Sequence, residues 1–142
     1  MRVTGLTMVA GASLLAALVA ACGDTLGPDE RFLSTIEVDF NPLSIGTPLA
    51  VPVGTSFEVQ IVSYHTLSCE EQAFTDVKKE GMTITIRPYD KDTGRVCQDR
   101  SEIGFRAPKV RFDQRGVGKI VVQGFSTIAN DTISVVRDVG VF

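Results

Sequence analysis

At 142 residues the chain is long enough for one domain with a single core, and an apolar content of 44% is that of a globular protein rather than a disordered one. The net charge of −3 falls to −4 if Arg2 is lost with the leader, and this mild acidity argues against nucleic acid as a partner, because phosphate binding needs a concentrated positive field. The cysteines divide into Cys22, which closes an apolar leader, and the pair Cys69 and Cys97.

The first predicted element is an export signal over residues 1–21. Arg2 supplies a positive start, an apolar segment follows, and small residues precede Cys22. Val19-Ala20-Ala21-Cys22 resembles the lipobox of bacterial lipoproteins: an aliphatic residue, two small residues, then the cysteine. The resemblance covers the leader alone. It implies a diacylglyceryl group on the Cys22 sulfur, cleavage between Ala21 and Cys22, and acylation (palmitate being typical) of the new amino terminus. Only a thiol offers the nucleophile for the thioether, and small residues let an extended backbone enter a protease site. At about 0.8 kcal/mol per buried methylene, one acyl chain holds marginally and two or three hold stably. An ordinary secretion signal and an uncleaved span are the rival readings; the uncharged residues 3–23 would reach roughly 31 Å as a helix. Gly23, rather than Asp, is compatible with sorting to an outer membrane. The expected location is therefore the bacterial cell envelope, lipid-anchored in the outer membrane. Residues 22–31, with two Gly, one Pro and three acids, read as a flexible tether.

Residues 32–142 are expected to form one domain. Ile36, Val38 and Phe40 alternate with Glu37 and Asp39. Phe57, Val59 and Ile61 alternate with Glu58 and Gln60, and Met82, Ile84 and Ile86 with Thr83, Thr85 and Arg87. Val110 and Phe112, Ile120 and Val122, and Ile133 and Val135 repeat the pattern. Each set predicts a strand with one buried and one wet face. Turn signals separate them at Asn41-Pro42, Val53-Gly54-Thr55, Glu80-Gly81, Asp92-Thr93-Gly94, Arg115-Gly116 and Asn130-Asp131. Segment 116–124, Gly-Val-Gly-Lys-Ile-Val-Val-Gln-Gly, resembles the penultimate strand of bacterial immunoglobulin-like domains. The expected class is all-β: an antiparallel immunoglobulin-like β-sandwich of about seven strands after a cleaved signal helix, with a small closed barrel as the alternative.

Cys69–Cys97 would close a loop of about 29 residues, worth on the order of 3.6 kcal/mol in the chain-entropy model. If strand 57–64 runs up, segment 73–78 runs down and strand 82–89 runs up again. Both cysteines then fall at the same end, as a disulfide requires. The rival is a metal site using His65, Cys69, Cys97 and Glu70 or Glu71, which lacks the second close ligand pair of structural zinc. Asp90-Lys91-Asp92-Thr93-Gly94 reads as a hairpin turn, because a calcium loop needs further oxygen ligands and a distal acid. No metal and no cofactor is expected.

His65 is the chain's only histidine and reads as a surface residue at a strand end. Glu70, Glu71, Asp90 and Asp92 read as solvated loop charges. No Gly-x-Ser-x-Gly elbow is present, so an enzyme is not expected. Arg106, Lys109, Arg111, Arg115 and Lys119 read as a wet strand face, a patch for anionic lipid or polysaccharide being the functional option. The Asn130-Asp131-Thr132 sequon reads as a turn. The candidate binding loops are 64–72 and 90–101, carrying Tyr64, His65, Glu70, Glu71, Asp90, Asp92, Arg95 and Arg100. The expected partners are the membrane, through the lipid, and an envelope protein or polysaccharide. The alternative is an inhibitor of an envelope hydrolase such as a lysozyme or protease. In an immunoglobulin-like order the tether leaves from the stapled end.

Overall fold

The computed structural model describes residues 30–37 and 44–142. The leader, Cys22, most of the tether, the predicted strand residues Val38, Asp39 and Phe40, and the turn Asn41-Pro42 lie outside them. The described chain is a β-sandwich of eleven strand segments. They are β1 (Arg31–Leu33), β2 (Ile45–Gly46), β3 (Ala50–Val51), β4 (Ser56–Glu58), β5 (Gln60–Leu67) and β6 (Glu70–Glu80), followed by β7 (Thr83–Asp92), β8 (Asp99–Arg106), β9 (Lys109–Arg111), β10 (Gly116–Ser126) and β11 (Asp131–Val141). The count exceeds seven partly because long runs are broken. β4 and β5 are one run interrupted at Val59, and β8 and β9 are one run interrupted at Ala107-Pro108. Pro108 has no N–H for a ladder, but its carbonyl accepts the Val59 N–H at 3.0 Å, so the two breaks face each other.

One sheet has the order β1-β7-β10-β11-β3, with β6 along the other edge of β7. The second has the order β2-β5-β8, and the pair β4-β9 prolongs it. β7–β10 and β3–β11 are parallel pairs, and the other strand pairs are antiparallel. Segment 116–124 lies in β10, the penultimate strand, which pairs with β11 along its whole length from Gly116↔Val141 to Ser126↔Asp131. The predicted Glu80-Gly81 turn joins β6 to β7, and Gly81 there has φ 59°, a conformation costly for a residue with a Cβ.

The alternating apolar positions build the core between the sheets. Ile84, Ile86, Ile120, Val122, Val135 and Val139 come from one sheet, and Val59, Ile61, Val110 and Phe112 from the other side. Phe57 packs its ring 5.8 Å from that of Phe112. The short segment after β1 belongs to both sheets. The Ser34 N–H donates to the Pro88 carbonyl at 2.9 Å and the Ile36 N–H to that of Phe125 at 2.9 Å. The Phe125 N–H donates to the Ser34 carbonyl at 3.0 Å and the Tyr64 N–H to that of Thr35 at 2.9 Å. Residues 34–36 thus bond to β7, β10 and β5.

The predicted strand directions hold. Cys69 lies in the β5–β6 turn and Cys97 in the loop before β8, and they form a disulfide with Cα atoms 5.0 Å apart. Arg31 pairs with Lys91, and Lys91 pairs on its other side with Glu71. The described chain therefore enters the sandwich at the stapled end.

Gly124 carries the close approach of residues 34–36 to β10. A Cβ there would stand 2.6 Å from Ile36 Cγ1 and 2.9 Å from the Ser34 carbonyl oxygen. Gly124→Ala is expected to lower stability by about 1–3 kcal/mol in urea unfolding. A Cβ on Gly140 would meet nothing nearer than 3.5 Å, so Gly140→Ala should stay within about 0.5 kcal/mol of the parent.

Candidate functional site

At the stapled end most polar groups close turns. Glu70 Oε2 accepts the N–H groups of Thr66 at 2.8 Å and Leu67 at 3.2 Å, bracing the β5–β6 turn. Asp92 Oδ1 accepts the Gly94 N–H at 2.7 Å, an Asx turn that starts the loop to β8. Ser68 and Gln98 exchange bonds across the staple, Ser68 N–H to the Gln98 carbonyl at 2.9 Å and Gln98 N–H to Ser68 Oγ at 3.0 Å. Glu71 stands 4.0 Å from Lys91, and Arg100 pairs with Glu102 at 2.8 Å on the surface. Arg95 is exposed, beside a Val96 that is 90% exposed. The sulfurs of Cys69 and Cys97 lie near Asp92, but bonded to each other they are not thiolate ligands, so the zinc reading with His65 and Glu70 or Glu71 falls.

Asp90, His65 and Arg106 lie elsewhere than their residue types suggest. Asp90 is not a solvated loop charge; it is 1% exposed and lies inside β7. His65 is not a surface residue; it is 7% exposed in β5. Arg106 does not belong to the wet basic face; it is buried at the end of β8. Each continues the inward phase of its strand: Ile84, Ile86, Pro88, Asp90 in β7; Ile61, Ser63, His65 in β5; Gly104, Arg106 in β8. The phase of two was the available signal, and it carries polar residues inward where the apolar ones stop.

These side chains meet. Arg106 donates to the Asp90 carboxylate, to Ser34 Oγ at 2.5 Å and to the Tyr89 carbonyl at 2.9 Å. His65 Nε2 lies 3.4 Å from Asp90 Oδ1 and is buried without a hydrogen-bond partner. The remaining basic residues are exposed but do not share one face: Lys109 and Arg111 point outward from β9 and Lys119 from β10 in the opposite sheet, and each stands within 4 Å of a carboxylate, on Glu58, Asp113 and Asp138. Arg115 is exposed. Split between the two sheets and mostly paired with carboxylates, these residues make no single anion patch.

Glu37 was expected on a wet strand face and is buried, 6% exposed. Its carboxylate accepts the Thr127 N–H at 2.7 Å, the Thr127 hydroxyl at 2.5 Å and the Ser126 hydroxyl at 3.0 Å. Burial pushes its carboxyl up, but the Thr127 and Ser126 donors outweigh burial and hold it below the ordinary value of 4.5. Glu37 is therefore a buried anion at neutral pH. It lines a cavity of about 410 Å³ with Tyr64, His65, Thr66 and Ser101. Thr35 and Thr127 complete the wall. Of the eight candidate binding residues, the cavity holds Tyr64 and His65; the other six lie in the strands and turns around the staple or, as Asp90, beneath it. Glu37, Thr35 and Thr127 were missed because they are far apart in sequence and read as strand or turn residues.

No family model, curated protein or solved structure matches the chain.

Arg106→Met would leave Asp90 buried without its partner and is expected to cost about 3–5 kcal/mol in urea unfolding, while adding Asp90→Leu should recover most of the loss. Glu37 gives a separate test by pH. Its folded pKa lies below the unfolded value, so its contribution is present above the unfolded value and is lost as pH falls through the folded one. The melting temperature of the parent should fall further than that of Glu37→Gln between about pH 6 and about pH 3.

Proposed function

We propose that the protein is a lipid-anchored component of the bacterial cell envelope, held by Cys22 in the outer membrane, whose sandwich binds or scaffolds an envelope partner without catalysing a reaction. The observation that carries this reading is the Cys69–Cys97 disulfide. Such a bond persists in an oxidising compartment, which supports export, and it leaves Cys22 as the one cysteine free for lipid. The lipobox-like leader supports the same location. The non-catalytic reading draws support from the sole histidine, buried against an aspartate that is already paired with Arg106.

With the chain entering at the stapled end, an anchored sandwich turns that end toward the lipid surface or holds it off by the length of the tether. The second reading is inhibition of an envelope hydrolase such as a lysozyme or protease. The exposed Arg95-Val96 tip beside the disulfide favours it, because inhibitors present rigid loops of this kind. Reduction of the disulfide would abolish inhibition on that reading.

The test is metabolic labelling with a palmitate analogue. Cys22→Ser should abolish labelling and release the protein from membranes, while the Cys69–Cys97 bond and the melting temperature stay unchanged. Labelling that survives in Cys22→Ser would overturn the assignment.

A further inference from the structure

The second sheet ends on an open edge. β8 pairs with β5 on one side, and among the described residues no strand pairs with its other side. The ladder shows which groups that edge offers. Tyr64 turns its N–H to the Thr35 carbonyl, away from β8, so its partner Ile103 turns its own N–H and C=O away from β5. Phe105, two residues on, does the same, and its carbonyl accepts Gln72 Nε2 from β6 at 3.4 Å. The side chains of both residues are uncovered too: Phe105 is 72% exposed and Ile103 58%. Open strand edges are templates for pairing, and charged side chains commonly guard them. β6, also an edge strand, carries Lys78, Lys79 and Glu80, whereas the outward positions of β8, Ser101, Ile103 and Phe105, carry no charge.

β6 runs beside this edge and bounds a groove. Its Gln72 reaches Phe105 at one end. At the other end its Lys79 donates to the Arg111 carbonyl at 3.0 Å, on β9, which continues the run of β8. Between them Val77 is 41% exposed, and with Lys79, Lys109, Arg111 and Asp113 it lines a cavity of about 280 Å³. Three cations there face two carboxylates, Asp113 and Glu58, so one positive charge is in excess. The groove therefore offers main-chain donors and acceptors with apolar side chains along β8, and a cationic end at β9. A second sandwich meeting β8 edge to edge would bring its own β6 against this one. A single extended segment adds beside β8 and over Val77 without that conflict.

We propose that the open edge of β8 takes up an extended segment of a partner protein as an added antiparallel strand. Alternate apolar side chains of the segment lie beside Ile103 and Phe105, and its acidic residues lie beside Lys109 and Arg111. This deepens the binding role proposed above and rests on that reading only for there being a partner. It needs neither lipid nor export, and its test leaves Cys22 untouched, so the two can fail separately.

The probe is an acetylated and amidated peptide, Asp-Gly-Glu-Gly-Thr-Gly-Val-Thr-Val-Thr-Val. Its antiparallel register sets the two acids beside Arg111 and Lys109 and the valines beside Phe105, Ile103 and Ser101. The readout is hydrogen exchange of the full chain in detergent. Excess peptide is expected to slow exchange of the Ile103 and Phe105 amides at least about tenfold. The same peptide methylated on its valine nitrogens cannot donate to the edge and should give no protection. A peptide with lysine in place of both acids should bind at least about fivefold more weakly by fluorescence anisotropy. Phe105→Asp, at a side chain exposed to solvent, should abolish protection at an unchanged melting temperature; the methylated peptide tests the same pairing on the unaltered chain. Absence of protection at millimolar peptide would overturn the proposal. Protection by the methylated peptide would reduce the groove to side-chain capture and overturn it too, and equal binding of the lysine peptide would overturn the acidic partner class. Protection of Ile103 without peptide, together with sedimentation as a dimer, would make the occupant a second copy and overturn it as well.

Discussion

The Arg106 guanidinium is the interaction on which the upper half of the interior depends. It projects from β8 in one sheet and reaches Asp90 and the Tyr89 carbonyl on β7 in the other, with Ser34 between. Burying two charges costs several kcal/mol of lost hydration, so the pair adds little net stability. Its effect is positional. A slip of β8 by one residue would turn Arg106 to solvent and strand Asp90 in the interior without a partner, so the pair penalises every register but the one observed.

The interior is consequently graded. Toward Phe112 and Val141 it is apolar, and the strands there hold together by burial. Toward the staple it carries Ser34, Ser63, His65, Asp90, Arg106 and Ser126. Burial of such groups supplies little driving force, since most of them only exchange water for a protein partner. The Cys69–Cys97 disulfide sits over that polar end. The cross-link lies where the hydrophobic effect contributes least, and it acts instead by restricting the unfolded chain.

This gradient separates what could be read in the sequence from what could not. Ile84, Ile86, Ile120, Val122, Val59 and Ile61 were legible because residue type and strand phase agree, and all six are buried. The disulfide was legible because the order of strand directions brings its two ends together. Asp90, His65 and Arg106 keep the inward phase but change chemistry, and a reading by residue type sends them to water. Their burial depends on partners whose identity is not local: Arg106 is 16 residues from Asp90 and 72 from Ser34. The Glu37 cavity was less visible still, since its walls come from residues near 36, 65, 101 and 127 that no short motif connects.

The bonding of residues 34–36 to both sheets also fixes an order of events. A chain made or threaded N-terminus first presents this segment early, but its partners are Tyr64, Pro88 and Phe125, and the neighbouring Glu37 waits for Thr127, 90 residues later. Contacts so distant in sequence form slowly, because the intervening chain must be ordered before they contribute. Until β10 exists, the Ile36 N–H and the Ser34 carbonyl lack their Phe125 partners, and residues 34–36 are held only to β5 and β7. The earliest described segment to appear therefore completes its bonding only when β10 and the turn after it are present, and it ties the two sheets together.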